Sequence, residues 1–215
     1  MLLGVLVGFA PTFYLRSPFN GPELPWWLLL HGVAQTAWFA VLAAQATFNA
    51  LRLRSWHKWL GWTGMLIALL VLVTTPVVMI RAVPRGLAAG LTEIELGFVL
   101  MVNVLRLPFF AVMVASALHY RRTREVHARA LLLASLSNFA PATSRMAHFV
   151  GVSPIVGVLV FMAAFCIPLV LHDRRTLGRV HALTRWGIVA LLLMIAIPIA
   201  LLFAGVGQAA VRALA

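Results

Sequence analysis

Six separate stretches of this chain are each long and apolar enough to cross a lipid bilayer as a helix, and that feature decides the class of fold. A crossing needs about 20 mostly apolar residues for a hydrocarbon core of about 30 Å, and each segment must satisfy its own backbone hydrogen bonds. The stretches cover residues 24–50, 57–80, 92–119, 128–150, 154–172 and 183–206. Composition agrees, since 63% of residues are AVILMFWYC and only 10% are charged, against about 45–50% apolar and about 25% charged in a soluble domain. A soluble enzyme is excluded. The expectation is all-α: one integral membrane domain over residues 1–215, built as a polytopic transmembrane helical bundle.

Residues 1–15 form a seventh apolar run, interrupted by Pro11. At 1.5 Å per residue it supplies about 22 Å of helix. Nothing basic precedes it and no small-residue cleavage site follows, so it reads as a short first crossing rather than a secretory signal. A re-entrant or interfacial segment is the alternative. Thr92 followed by Glu95 is a capping-box pattern, and Pro154 stands where a first-turn proline is tolerated. The longest connection, residues 81–91, holds Pro84, Gly86 and Gly90. Cys166 is the one cysteine, which rules out an intramolecular disulfide.

The net charge of +12 would suggest nucleic acid in a soluble protein, but its placement gives another reading. Arg52, Arg54, Lys58, Arg121, Arg122, Arg124, Arg129, Arg174, Arg175, Arg179 and Arg185 fall on one side of the alternating spans. Arg16, Arg81, Arg85 and Arg212 fall on the other. The positive-inside rule then makes the first side cytoplasmic, with the N-terminus in and the C-terminus out for seven spans. The expected partner is the lipid bilayer, not nucleic acid, and a bundle of this kind suits a bacterial inner membrane.

Arg106 and Arg145 lie inside spans, where ionisable residues are costly and mark function by default. Arg106 is about 20 Å from either end of its span, too deep to snorkel. Its candidate partners are Asn103, a carbonyl freed by Pro108, a water-filled cavity, or an anionic ligand group such as a haem propionate. In the second span His31, Gln35, Trp38, Gln45 and Asn49 recur on one face, and in the fifth His127, Asn138, Pro141, Arg145 and His148 do the same. Such stripes either join helices through hydrogen bonds or line a common cavity with Arg106. His57, Gly61, Gly64 and Ala68 also share a face. That groove either admits a neighbouring helix closely or seats a flat macrocycle beneath the histidine.

Bis-histidine ligation of a b-type haem needs two imidazoles at similar depth on facing helices. His57 and His127 meet that test, with Arg129 near the propionates, whereas His31 and His148 differ in depth by roughly 8 Å. Other chemistries lack their residues: there is no HExxH, no carboxylate pair and no Gly-rich phosphate loop followed by Lys. No Asp or Glu lies deep within a span, which argues against ion pumping.

The order of motifs, LHGVAQTAWFAVLAAQ from Leu30, HKWLG from His57 and HARALLLASLSNFAPATSR from His127, resembles a group of uncharacterised bacterial polytopic membrane proteins. The likeness covers roughly residues 24–150 and rests on His31, Gln45, His57, Gly61, His127 and Arg145. It implies a multi-span inner-membrane protein with no assigned reaction. Histidines recurring on successive spans are also loosely similar to the b-type cytochrome class of membrane redox proteins.

Two classes of function remain. The first choice is a membrane protein with a polar cavity at Arg106, Arg145, His31, Gln35, Gln45, Asn103, Asn138 and His148, acting as a carrier for a small polar or anionic solute or as an accessory subunit of a partner membrane protein. The second is a redox protein holding haem b between His57 and His127 and exchanging electrons with a quinone or other small acceptor.

Overall fold

The computed structural model describes residues 1–18 and 23–215. Among these residues the chain is helical, with no strand. The α-helices are α1 (Leu2–Phe9), α2 (Trp26–Ala50), α3 (Arg54–Ala88), α4 (Glu93–His119), α5 (Arg124–Phe149), α6 (Pro154–Leu177), α7 (Ala182–Phe203) and α8 (Val206–Leu214). A π-helical turn, Ala10–Tyr14, follows α1. Five helices, α2, α3, α4, α6 and α7, are long and apolar enough to cross a membrane, the architecture of an integral membrane protein.

The two remaining expected crossings differ in kind. The first segment, Leu2–Tyr14, is shorter than a span. Helix α5 is long enough but carries Ser135, Ser137, Asn138, Thr143 and Arg145, which lower its hydropathy. Its polar residues are turned inward, with Ser135, Ser137, Asn138 and Thr143 all buried. Their hydroxyls are satisfied within the helix: Ser135 Oγ donates to the Leu131 carbonyl, Ser137 Oγ to Ala134 and Thr143 Oγ1 to Ala140. Such back-bonding lets a polar helix be enclosed by apolar neighbours without seeking partners across the interface.

Local signals explain several helix ends. The Thr92 hydroxyl accepts from the Glu95 amide while the Glu95 carboxylate accepts from the Thr92 amide, closing the capping box. Helix α6 begins at Pro154, as its sequence suggests. The expected connection at residues 81–91 is a correction: α3 continues through Pro84 to Ala88 and turns only at Gly90, whose φ of 82° suits glycine. The chain beyond residue 206 is also helical, restarting as α8 after Gly205, whose φ is 76°.

Two compact units divide the chain. The first contains Met1–Thr74 and Asn138–Met162, the second Thr75–Ser137 and Ala163–Ala215. In the first unit α2 and α3 run antiparallel, in a register marked by Gln45 beside Gly61, Val41 beside Gly64 and His31 bonded to Thr74. Helix α1 crosses α5 where a side chain on Gly8 would strike the Ala142 carbonyl at 2.5 Å. Phe39 stacks against Phe139, and Phe139 against Phe161, at 5.9 and 6.1 Å between centroids.

In the second unit α8 packs on α4 through two glycines. A Cβ on Gly97 would lie 2.8 Å from the Gly207 carbonyl carbon, so only small residues permit this approach. Val211 then buries against Val83 and Leu96. Arg212 closes the contact on the Glu93 carboxylate, 2.8 Å away. That hydrogen bond, and then the charge itself, raise the guanidinium pKa further above its ordinary value, so Arg212 stays ionised at any working pH.

Candidate functional site

The first unit gathers a polar band on α2. His31 Nδ1 lies 3.0 Å from Thr74 Oγ1 on α3. One turn on, Thr36 Oγ1 donates to the Gly32 carbonyl and meets the Tyr14 hydroxyl at 2.5 Å, tying α2 to the π-helical turn. Gly32 faces the Phe13 ring so closely that a Cβ would overlap it. Between these tethers stands Gln35. Both polar atoms of its carboxamide are buried, and neither has a hydrogen-bond partner among the described residues. A buried polar atom left unpaired costs about 1–3 kcal/mol, so this amide is the most expensive feature of the band.

Lower on the same stripe, Gln45 Nε2 donates to the His57 carbonyl at 3.1 Å. Gln45 Oε1 and His57 Nδ1 are buried without a partner. The groove beneath His57 is occupied: the Gln45 amide covers Gly61 at 3.5 Å from its Cβ position, and Val41 covers Gly64 at 3.3 Å. This small-residue face therefore admits helix α2, and a flat macrocycle does not fit there.

Arg145, on α5 of the first unit, places its guanidinium 4.4 Å from the centroid of the Phe9 ring and donates from Nη1 to the Pro141 carbonyl at 3.0 Å. A cation held by a ring face and a carbonyl needs no carboxylate. Asn138 is buried on the same helix, and His148 is exposed at its end.

Arg106 and Asn103 belong to the second unit. Arg106 is 6% exposed, and its Nη2 donates to Asn103 Oδ1 at 2.5 Å while Asn103 Nδ2 donates to the Val99 carbonyl at 2.7 Å. The expected residues thus divide: His31, Gln35, Gln45, Asn138, Arg145 and His148 lie in one unit, Arg106 and Asn103 in the other. Neither unit contains the full set expected to line a common cavity.

The candidate haem ligands divide in the same way, His57 in the first unit and His127 in the second. Only His127 has the support a ligating imidazole needs, with Nδ1 2.8 Å from the Ala117 carbonyl. An Nδ1–H donated there leaves Nε2 as the lone pair. No group of three or more His, Cys, Asp or Glu residues suited to a metal occurs among the described residues.

Comparison with family models, curated proteins and solved structures finds no match to this chain.

One constellation carries no signal in the sequence. Asp173 on α6 is 0% exposed and Arg129 on α5 is 5% exposed. Arg129 donates through Nε and Nη2 to Asp173 Oδ1, and Asp173 Oδ2 accepts from the His181 amide at 3.0 Å. Arg129 Nη1 also donates to the Glu125 carbonyl at 2.9 Å. Arg129 is committed to this pair rather than to a haem propionate. Nothing local in the sequence signals it, because the partners are 44 residues apart.

Proposed function

We propose that this protein binds a small polar or anionic solute within the membrane at the Gln35 band of its first unit, as a carrier would. The observation that carries the reading is the Gln35 carboxamide, buried with both donor and acceptor unanswered. A solute offering an acceptor and a donor together, such as an amide or a hydroxy acid, complements it. His31 and Thr36, already tethered to Thr74 and Tyr14, hold the flanks of the band in place.

The positive-inside asymmetry supports a bacterial inner-membrane location with the arginine-rich turns in the cytoplasm and the C-terminus outside. The resemblance to uncharacterised bacterial polytopic proteins supports the same compartment. Helices α2 to α7 then make six crossings. The first segment, counted in the seven-span reading as a crossing that starts inside, is shorter than a span, which favours the re-entrant alternative.

The test compares the protein with Gln35→Leu. Thermal unfolding of detergent-purified protein is followed with acetamide, urea, lactate and glycerol, and solutes that stabilise are tested for uptake into proteoliposomes. At least one is expected to raise the wild-type midpoint and leave Gln35→Leu unmoved. If none acts and Gln35→Leu is simply more stable, the carrier reading fails and an accessory subunit becomes the better description. The haem and quinone reading keeps only His127 in its favour. A Soret band lost in His127→Ala would revive it.

A further inference from the structure

One end of the second unit is built from four helix termini tied by buried and half-buried hydrogen bonds. His127 joins the start of α5 to the last turn of α4 through the Ala117 carbonyl. Arg129 joins α5 to the end of α6 through Asp173, and Asp173 joins α6 to the His181 amide that caps α7. The helix ends and turns so fixed carry Arg121, Arg122, Arg124, Arg174, Arg175 and Arg179, with Arg185 in the first turn of α7, and all seven are exposed. The one exposed carboxylate near them in sequence is Glu125.

Seven like charges held at one end repel one another, and a surface of many anionic groups relieves that repulsion. Every one of the seven is arginine, whose planar fork donates to phosphate in pairs where lysine offers a point charge. Two aromatics mark the depth: Tyr120 and Trp186 are 47% and 61% exposed, and Arg185 lies 5.2 Å over the Trp186 ring. Tyr and Trp beside basic residues at a helix end are the pattern of the headgroup layer. Below them Ile167, Leu171 and Val189 are exposed and apolar, a surface for acyl chains.

We propose that this end of the second unit is a binding surface for anionic phospholipid headgroups. The arginines of these helix ends and turns donate to the phosphates, Tyr120 and Trp186 sit at the glycerol level, and the Arg129–Asp173 pair holds the turns in register.

Native mass spectrometry of the detergent-purified full chain tests this, with phosphatidylglycerol or phosphatidylcholine of matched acyl chains as the added lipid. Phosphatidylglycerol is expected to bind at least tenfold more tightly than phosphatidylcholine. Arg174→Gln/Arg175→Gln/Arg179→Gln and Arg121→Gln/Arg122→Gln/Arg124→Gln are each expected to remove most of that preference. Arg52→Gln/Arg54→Gln/Lys58→Gln, in the first unit, is the matched control and should keep it. Equal binding of the two lipids overturns the proposal, as does a preference that survives both arginine triples or falls equally in the control. Displacement of phosphatidylglycerol by millimolar inorganic phosphate would also overturn it, by making a free anion the better ligand. Circular dichroism and a monodisperse elution profile identify variants that have failed to fold, and for those the single Arg175→Gln and Arg122→Gln changes provide the reading.

Discussion

Arg129 and Arg145 stand on the same helix and are accommodated in opposite ways. Arg129, in the second unit, spends its guanidinium on a buried carboxylate and a carbonyl, so two formal charges are removed from solvent together. Arg145, in the first unit, spends its guanidinium on an aromatic ring and a carbonyl of its own helix. The difference shows that a basic residue on this helix does not require an acid. It also shows where each charge is vulnerable, since Arg129 leaves a stranded anion when removed and Arg145 leaves only a ring and a carbonyl.

The largest effect should come from breaking the ion pair on one side. Arg129→Met strands Asp173 in the interior and is expected to cost about 3–5 kcal/mol, read as a lowered unfolding midpoint in detergent. Adding Asp173→Leu should recover most of that loss. A double variant as unstable as the single one would mean that the pair is not the cause.

Close packing should not distinguish the two units. Gly8→Val meets the Ala142 carbonyl in the first, and Gly97→Val meets the Gly207 backbone in the second. Each is expected to cost about 1–3 kcal/mol. Gly97→Val should in addition speed tryptic cleavage after Arg212 by loosening α8, and unchanged cleavage would place the α8 contact elsewhere.

Arg145→Met should cost less, about 0.5–2 kcal/mol. A double-mutant cycle with Phe9→Ala should recover that coupling. No coupling would leave the Pro141 carbonyl as the sole partner and weaken the contrast between the two arginines. Smallest of all should be Arg212→Gln, because its bridge to Glu93 is solvent-exposed and such pairs are screened. High salt should erase the difference from wild type.

Much of this could be read along the chain. The capping box at Thr92 and Glu95, the proline that opens α6 and the long apolar helices rest on contacts within a few residues, which spacing alone specifies. Helix α8 was legible in principle, since Gly207, Val211 and Leu214 recur on one face after a helix-breaking glycine. The extension of α3 through Pro84 was not, because a proline removes one hydrogen bond without dictating whether the helix stops there.

The site was legible in part. The stripe on α2 marks His31, Gln35 and Gln45 by their spacing, but spacing does not say which of them finds a partner. His31 finds Thr74 and Gln45 finds the His57 carbonyl, while Gln35 between them finds none. On the matching stripe of α5, Arg145 bonds to the Pro141 carbonyl of its own helix, whereas His127 reaches the Ala117 carbonyl on α4.

The amino-acid order by itself determined that the chain is helical, apolar and strongly basic at one set of helix ends, because hydropathy and hydrogen-bond spacing are properties of neighbours. Only the tertiary structure decided that Asp173 belongs to Arg129, that Phe9 covers Arg145 and that α2 fills the groove beneath His57. Those pairings join residues far apart in the chain. Their energies depend on which groups are removed from solvent together, which only the packing of the helices sets.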